Sequence, residues 1–202
     1  MKVLALLVAA LLPCLAAGPD VDKSRSIGDP AAPLRFEIYS DFSCPACKRL
    51  HDFTLPTIIQ EYVRTGKAFL VFREFPLDIP AHKYSRPAAA FAVAAARIGK
   101  YQTVSDALFR DQGAWGASGK VWDIVAGVLT PVERKKVQTL ANEPAVLADV
   151  QRDVDRGTQA MFTLPRIQTP TLMITYQLRQ RPWIEFADYG LLRGYIDALL
   201  KK

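Results

Sequence analysis

The chain has 202 residues, half of them hydrophobic and 23% charged, with a net charge of +6. That composition fits one well-buried globular domain with room for an insertion, and it excludes a disordered or low-complexity chain. The basic residues are scattered in small groups such as Lys48-Arg49, Arg134-Lys135-Lys136 and Lys201-Lys202. Such groups read as solvated helix faces, so no nucleic-acid partner is expected.

Residues 1–17 read as a signal peptide. Lys2 supplies a positive start, 3–12 is an apolar run too short to span a bilayer comfortably, and Ala16 or Ala17 offers a small residue for cleavage. An uncleaved anchor is the alternative, as is a lipoprotein modified at Cys14, although Leu12-Pro13 is a poor lead-in for that. Removing the signal leaves two of three cysteines, Cys44 and Cys47. An exported chain with a single Cys-x-x-Cys pair is no disulfide-stapled scaffold; the pair is there for its chemistry. A periplasmic or otherwise extracytoplasmic location follows.

Residues 18–32 read as an irregular lead-in punctuated by Gly28-Asp29-Pro30. The alternating run 34–39 reads as a strand, and 45–66 as a helix carrying Leu50, Phe53, Ile58, Ile59 and Tyr62, kinked at Pro56 and ended by Gly66. The apolar run 68–75 reads as a buried parallel strand stopped by Pro76. No strand is expected from 81 to 161. Helical patterns fill that stretch at 86–100, 101–111, 119–128, 131–141 and 143–161. Strand signals return at 171–176 and, after a loop at 177–180, at 181–186; a helix at 188–200 with Asp188 as N-cap closes the chain.

Cys44-Pro45-Ala46-Cys47 falls at the first strand-to-helix junction. There the unpaired N–H groups and the helix dipole favour a thiolate on the first sulfur, and such cysteines fall to roughly pKa 3.5–7.5. Cys44 is therefore the expected nucleophile, with Cys47, one turn on, as the buried resolving thiol. Pro45 and Ala46, between the sulfurs, tune the redox potential. A metal-binding chaperone using Cys44, Cys47 and His51 is the alternative, but a fourth ligand is not obvious and no metal or cofactor is expected. The ordinary reading of His51 is a helix-surface residue, and of His82 a solvent-exposed loop residue.

The order β-α-β, helical block, β-β-α describes an α/β thioredoxin fold with a helical domain inserted between its halves: 18–80 the βαβ half, 81–161 the insertion, 162–202 the ββα half. On Gly28-Asp29-Pro30, Ser40-Asp41-Phe42-Ser43-Cys44-Pro45-Ala46-Cys47, Phe75-Pro76-Leu77 and Thr169-Pro170-Thr171, the chain resembles the DsbA-like thiol–disulfide oxidoreductases. The resemblance implies a disulfide exchanged with cysteines of exported proteins, as an oxidase, with reductase or isomerase activity as alternatives. It also implies a membrane or soluble redox partner, a monomer, a cis Pro170 packed against the disulfide, and Thr169 free to pair with a substrate strand. One departure stands out. Related proteins commonly carry a buried acid six residues before the first active-site cysteine, where this chain has Ile38. Glu37 points to the opposite strand face, and the proton acceptor for Cys47 is not identified by the pattern.

Overall fold

The computed structural model describes residues 23–201, so the expected signal peptide and Cys14 lie outside the described residues. A five-stranded sheet in the order β1-β3-β2-β4-β5 forms its centre. β2 (Leu34–Ser40) and β3 (Ala68–Glu74) run parallel, joined through the helix at 45–63. β4 (Thr171–Tyr176) returns antiparallel on the other side of β2, followed by β5 (Arg179–Trp183). β1 (Ser26–Ile27), antiparallel to β3, lies in the stretch the sequence reads as irregular; two residues carry no alternation to detect. Between β3 and β4 come six helices: α3 (Ser85–Ala96), α4 (Tyr101–Arg110), α5 (Gln112–Ser118), α6 (Val121–Gly127), α7 (Pro131–Leu140) and α8 (Pro144–Ala160). α9 (Tyr189–Leu200) closes the chain, its first turn capped by Asp188 accepting from the Gly190 N–H.

Register assigns every strand residue to one of two faces. Phe36, Ile38 and Ser40 share a face with their partners Leu70, Phe72 and Glu74 and with Leu172 and Ile174. This face is the buried core beneath the 45–63 helix and α9; Tyr62 reaches Asp197 at 2.8 Å, and Trp183 stacks on Tyr195. The odd-numbered residues, Glu37, Tyr39, Arg73, Phe75 and Met173, form the opposite face against α8.

Three local details refine or correct the expectations. Around Pro56, where a kink is expected, the helix changes geometry: α1 (Pro45–Arg49) and α2 (Leu55–Ile58) are separated by a π-helical turn, Leu50–Thr54, and followed by another, Ile59–Val63. The widened turn ahead of α2 accommodates the N–H that proline lacks. The second hairpin strand starts at Arg179, not 181, because the turn has only two residues, Gln177 and Leu178, with φ of 47° and 66°. That is type I′ geometry, normally signalled by Asn or Gly. Finally, α5 occupies Gln112–Ser118, a Gly-Ala-Trp-Gly stretch too rich in glycine to read as helix.

Candidate active site

Cys44 is the N-cap of α1 and Pro45 its first helical residue, where the missing N–H costs nothing. Cys44 Sγ lies 3.5 Å from the Thr169 carbonyl oxygen, and the Thr169–Pro170 peptide is cis. Sequence positions 125 residues apart are thus brought together, as the resemblance implies. Both cysteines are free thiols; Cys44 is 7% exposed and Cys47 only 1%.

The two sulfurs titrate in opposite directions. A hydrogen bond from Cys47 is the largest influence on Cys44 and, with the backbone N–H groups of Cys47 and Ala46, outweighs burial to bring its pKa down to about 6. Burial is the largest influence on Cys47 and, with the neighbouring Cys44, pushes it well above the ordinary thiol range. The Asp41 backbone N–H (3.4 Å) and the Ser40 side chain support its anion only in part. One thiolate ready to react stands in front of one thiol that resists ionising.

The loop carrying the pair is braced from two sides. Asp41, 1% exposed, accepts from the Ser43 and Leu77 N–H groups at 2.7 and 2.8 Å, from His82 Nδ1 at 2.7 Å and from the Ser85 hydroxyl. His82 is therefore not the exposed loop residue its neighbours suggest; it is a partner of a buried carboxylate. From α5, Gln112 Nε2 donates to the carbonyls of Phe42 (2.6 Å) and Cys44 (3.0 Å). Neither the His82–Asp41 pair nor the Gln112 contacts have a local sequence signal, since they join residues more than forty positions apart.

His51 is not a plain surface residue either. It packs on Phe109 with ring centroids 4.6 Å apart, and its ring nitrogens reach Asp52 and Asp106 at 3.1 and 3.0 Å. Burial lowers its pKa, but the two carboxylates outweigh that and raise it. A histidine so engaged is a poor ligand, and no cluster of three or more His, Cys, Asp or Glu suited to a metal occurs among the described residues. Trp115 and Met161 are core residues, whereas Phe162 is exposed.

Two buried hydroxyls flank the nucleophile without a hydrogen-bond partner, those of Ser43 and Thr169. Unpaired buried hydroxyls beside a reactive sulfur are positions an incoming polar backbone would satisfy.

A thioredoxin family profile matches residues 20–183. The sequence is 24% identical over 183 residues to the "Probable disulfide bond formation protein D" of Bacillus anthracis, covering 88% of this chain and 79% of that one. It is 27% identical over 185 residues to the protein of the same name from Bacillus cereus, with the same coverage. Among solved structures, BdbD from Bacillus subtilis in its oxidised form superposes with a TM-score of 0.69 at 22% identity, covering 90% of this chain and 96% of that one. Wolbachia pipientis alpha-DsbA1 superposes with a TM-score of 0.67 at 20% identity, covering 87% and 89%. Both share the fold.

Proposed function

The chain belongs to the thioredoxin family, DsbA-like in its relatives and its dithiol, and on that premise we propose that it is an exported thiol–disulfide oxidase for cysteine-containing proteins. In the oxidised protein a substrate thiolate attacks Cys44 Sγ, the Cys44–Cys47 bond breaks, and a mixed disulfide to Cys44 forms while Cys47 leaves. A second substrate thiolate then attacks the substrate sulfur of that mixed disulfide. The substrate leaves oxidised, and Cys44 departs as a thiolate. A soluble or membrane-bound oxidant restores the pair.

The observation that carries this reading is Cys44 brought to about pKa 6 at a helix start. A stabilised thiolate is a good leaving group and stabilises the reduced form, which is what makes a disulfide oxidising. Thr169 and Pro170 hold the substrate chain beside the sulfur, with the unpaired hydroxyls of Thr169 and Ser43 as its polar contacts. Pro45 and Ala46 contribute no side-chain donor to the thiolate, leaving Cys47, the backbone N–H groups and the Thr169 side chain beside the sulfur to set the poise. Lys2 and the apolar run 3–12 support export to the periplasm or its equivalent. No helix among the described residues is long and apolar enough to cross a membrane.

The test is disulfide transfer to a reduced, unfolded protein. Cys44→Ser abolishes transfer, and Cys47→Ser accumulates mixed disulfides with substrate. Equilibration with glutathione gives a potential well above the roughly −270 mV of thioredoxin. A thioredoxin-like potential would make the protein a reductase, and full activity in Cys44→Ser would remove the mechanism.

A further inference from the structure

Opening the disulfide leaves a negative charge on Cys47, the sulfur least able to keep it. Burial penalises that anion and the chain has Ile38, 2% exposed, where related proteins place an acid. Asp41 is the nearest carboxylate in sequence, but its oxygens already accept four hydrogen bonds and only its backbone N–H faces the thiol.

Glu74 offers a different source. It ends β3 directly opposite Ser40, on the same sheet face. With Cys47, Ser40, Tyr101 and Ser105 it lines an internal cavity of about 20 Å³, room for one water molecule. Its residue is 2% exposed, and its carboxylate accepts from the Tyr101 hydroxyl at 2.7 Å.

We propose that Glu74, acting through Ser40 and a cavity water, gives a proton to Cys47 when the disulfide opens and takes it back when the disulfide closes. The inference rests on the thiol–disulfide reading above. In the opening step the Cys47 thiolate and the Glu74 carboxylic acid become a thiol and a carboxylate. The closing step reverses this as Cys47 attacks the mixed disulfide. Glu74 does not touch substrate; it is a positioning residue for the proton.

The electrostatics suit the task. Burial raises Glu74 to about pKa 8, against the pull of Arg25 and of the Tyr101 hydroxyl, so the acid carries its proton at neutral pH and releases it only slightly above. The charged and titratable groups around it are Tyr101 from α4, Arg25 from the turn before β1, Asp153 from α8, Asp41 after β2, its neighbour Arg73 at the cavity wall, and Cys47 with His51 across the cavity.

The experiment loads Cys44 with a chromogenic aryl thiol as a mixed disulfide and follows release of that thiol as Cys47 closes the ring, from pH 5 to 10. The wild-type rate rises with an inflection near pH 8. Glu74→Gln loses that inflection and slows at least tenfold at pH 7, Glu74→Asp retains a displaced one, and Tyr101→Phe moves it upward by removing the donor to the carboxylate. Infrared difference spectra of the wild-type protein on reduction show a change in a protonated carboxyl band. An unchanged pH profile in Glu74→Gln, or no carboxyl band change in the wild-type protein, would overturn the relay while leaving disulfide exchange intact. Absence of exchange in the wild-type protein would instead overturn the function it rests on.

Discussion

Glu37 and Glu74 are buried glutamates on neighbouring strands of one sheet, yet they face opposite sides and live under opposite rules. Beneath Glu37, Arg73 donates from Nη2 and Nε at 2.7 and 3.0 Å, and Arg35 adds a third contact at 3.3 Å. Asp153 draws in both Arg73 and Arg25. Burial raises the Glu37 pKa, but the guanidiniums outweigh it and hold the carboxyl below its ordinary value. Glu74 sits among Phe72, Tyr101 and Phe109 on the dithiol side, and there burial wins. The lesson concerns placement: a sheet segregates acids by parity, so one face keeps permanent ions as structure while the other keeps a mobile proton for chemistry.

The comparison can be broken by substitution, beginning on the ionic face. Glu37→Gln removes one of the two carboxylates that hold the buried Arg73, leaving Asp153, and costs roughly 3–5 kcal/mol, measured by urea unfolding at pH 7. Arg73 replaced together with Glu37 by apolar residues recovers much of that loss, since the pair is weak evidence of net stabilisation.

On the dithiol face the sign reverses. The folded pKa of Glu74 is raised from 4.5 to about 8, so its contribution is full below about pH 4.5 and is lost as pH rises through 8. Glu74→Gln has no such loss. Its stability matches the parent near pH 4 and exceeds it by on the order of 3 kcal/mol at pH 9, read from unfolding curves at the two pH values. A variant less stable than the parent at pH 9 would mean that Glu74 is ionised and paired in the folded state.

Close packing sharpens the contrast further. A methyl group at Gly157 of α8 would lie 2.6 Å from the Phe75 ring and 2.7 Å from Tyr39. Gly157→Ala therefore costs about 1–3 kcal/mol by thermal unfolding, with disulfide exchange per folded molecule unchanged. The smallest effect is expected at Gln112→Ala. It removes two hydrogen bonds to the Cys44 loop, costs about 1 kcal/mol, and speeds amide exchange in that loop without changing it across the sheet.

Much of this was readable from residue order, and the exceptions have physical causes. Alternation at 34–39 and the apolar run at 68–75 give β2 and β3 within one residue, because strand parity and burial are written locally. The junction at Cys44 and the N-cap at Asp188 were equally plain, since capping depends on neighbours in the chain. The cis Thr169–Pro170 peptide beside Cys44 came only from the resemblance; spacing alone would read a strand-opening proline. The pairing of His82 with Asp41 and of Gln112 with the Cys44 loop depends on how the insertion folds back, and nothing near either residue encodes it. Glu74 was hidden differently. In Phe72-Arg73-Glu74-Phe75 two charges inside an apolar strand look alike, and only the sheet partners tell the paired one from the unpaired face.

The sheet's two borders carry a consequence of their own. β1 is two residues long, and β5 runs Arg179-Gln180-Arg181-Pro182-Trp183, with exposed arginines and a residue unable to donate a hydrogen bond. Unpaired backbone along a long, flat, apolar rim would template the strands of any sticky neighbour; shortness, charge and proline blunt it. In the proposed role of exchanging disulfides with unfolded chains, such borders guard the protein against co-aggregating with its clients and confine capture to the one sulfur built to let go.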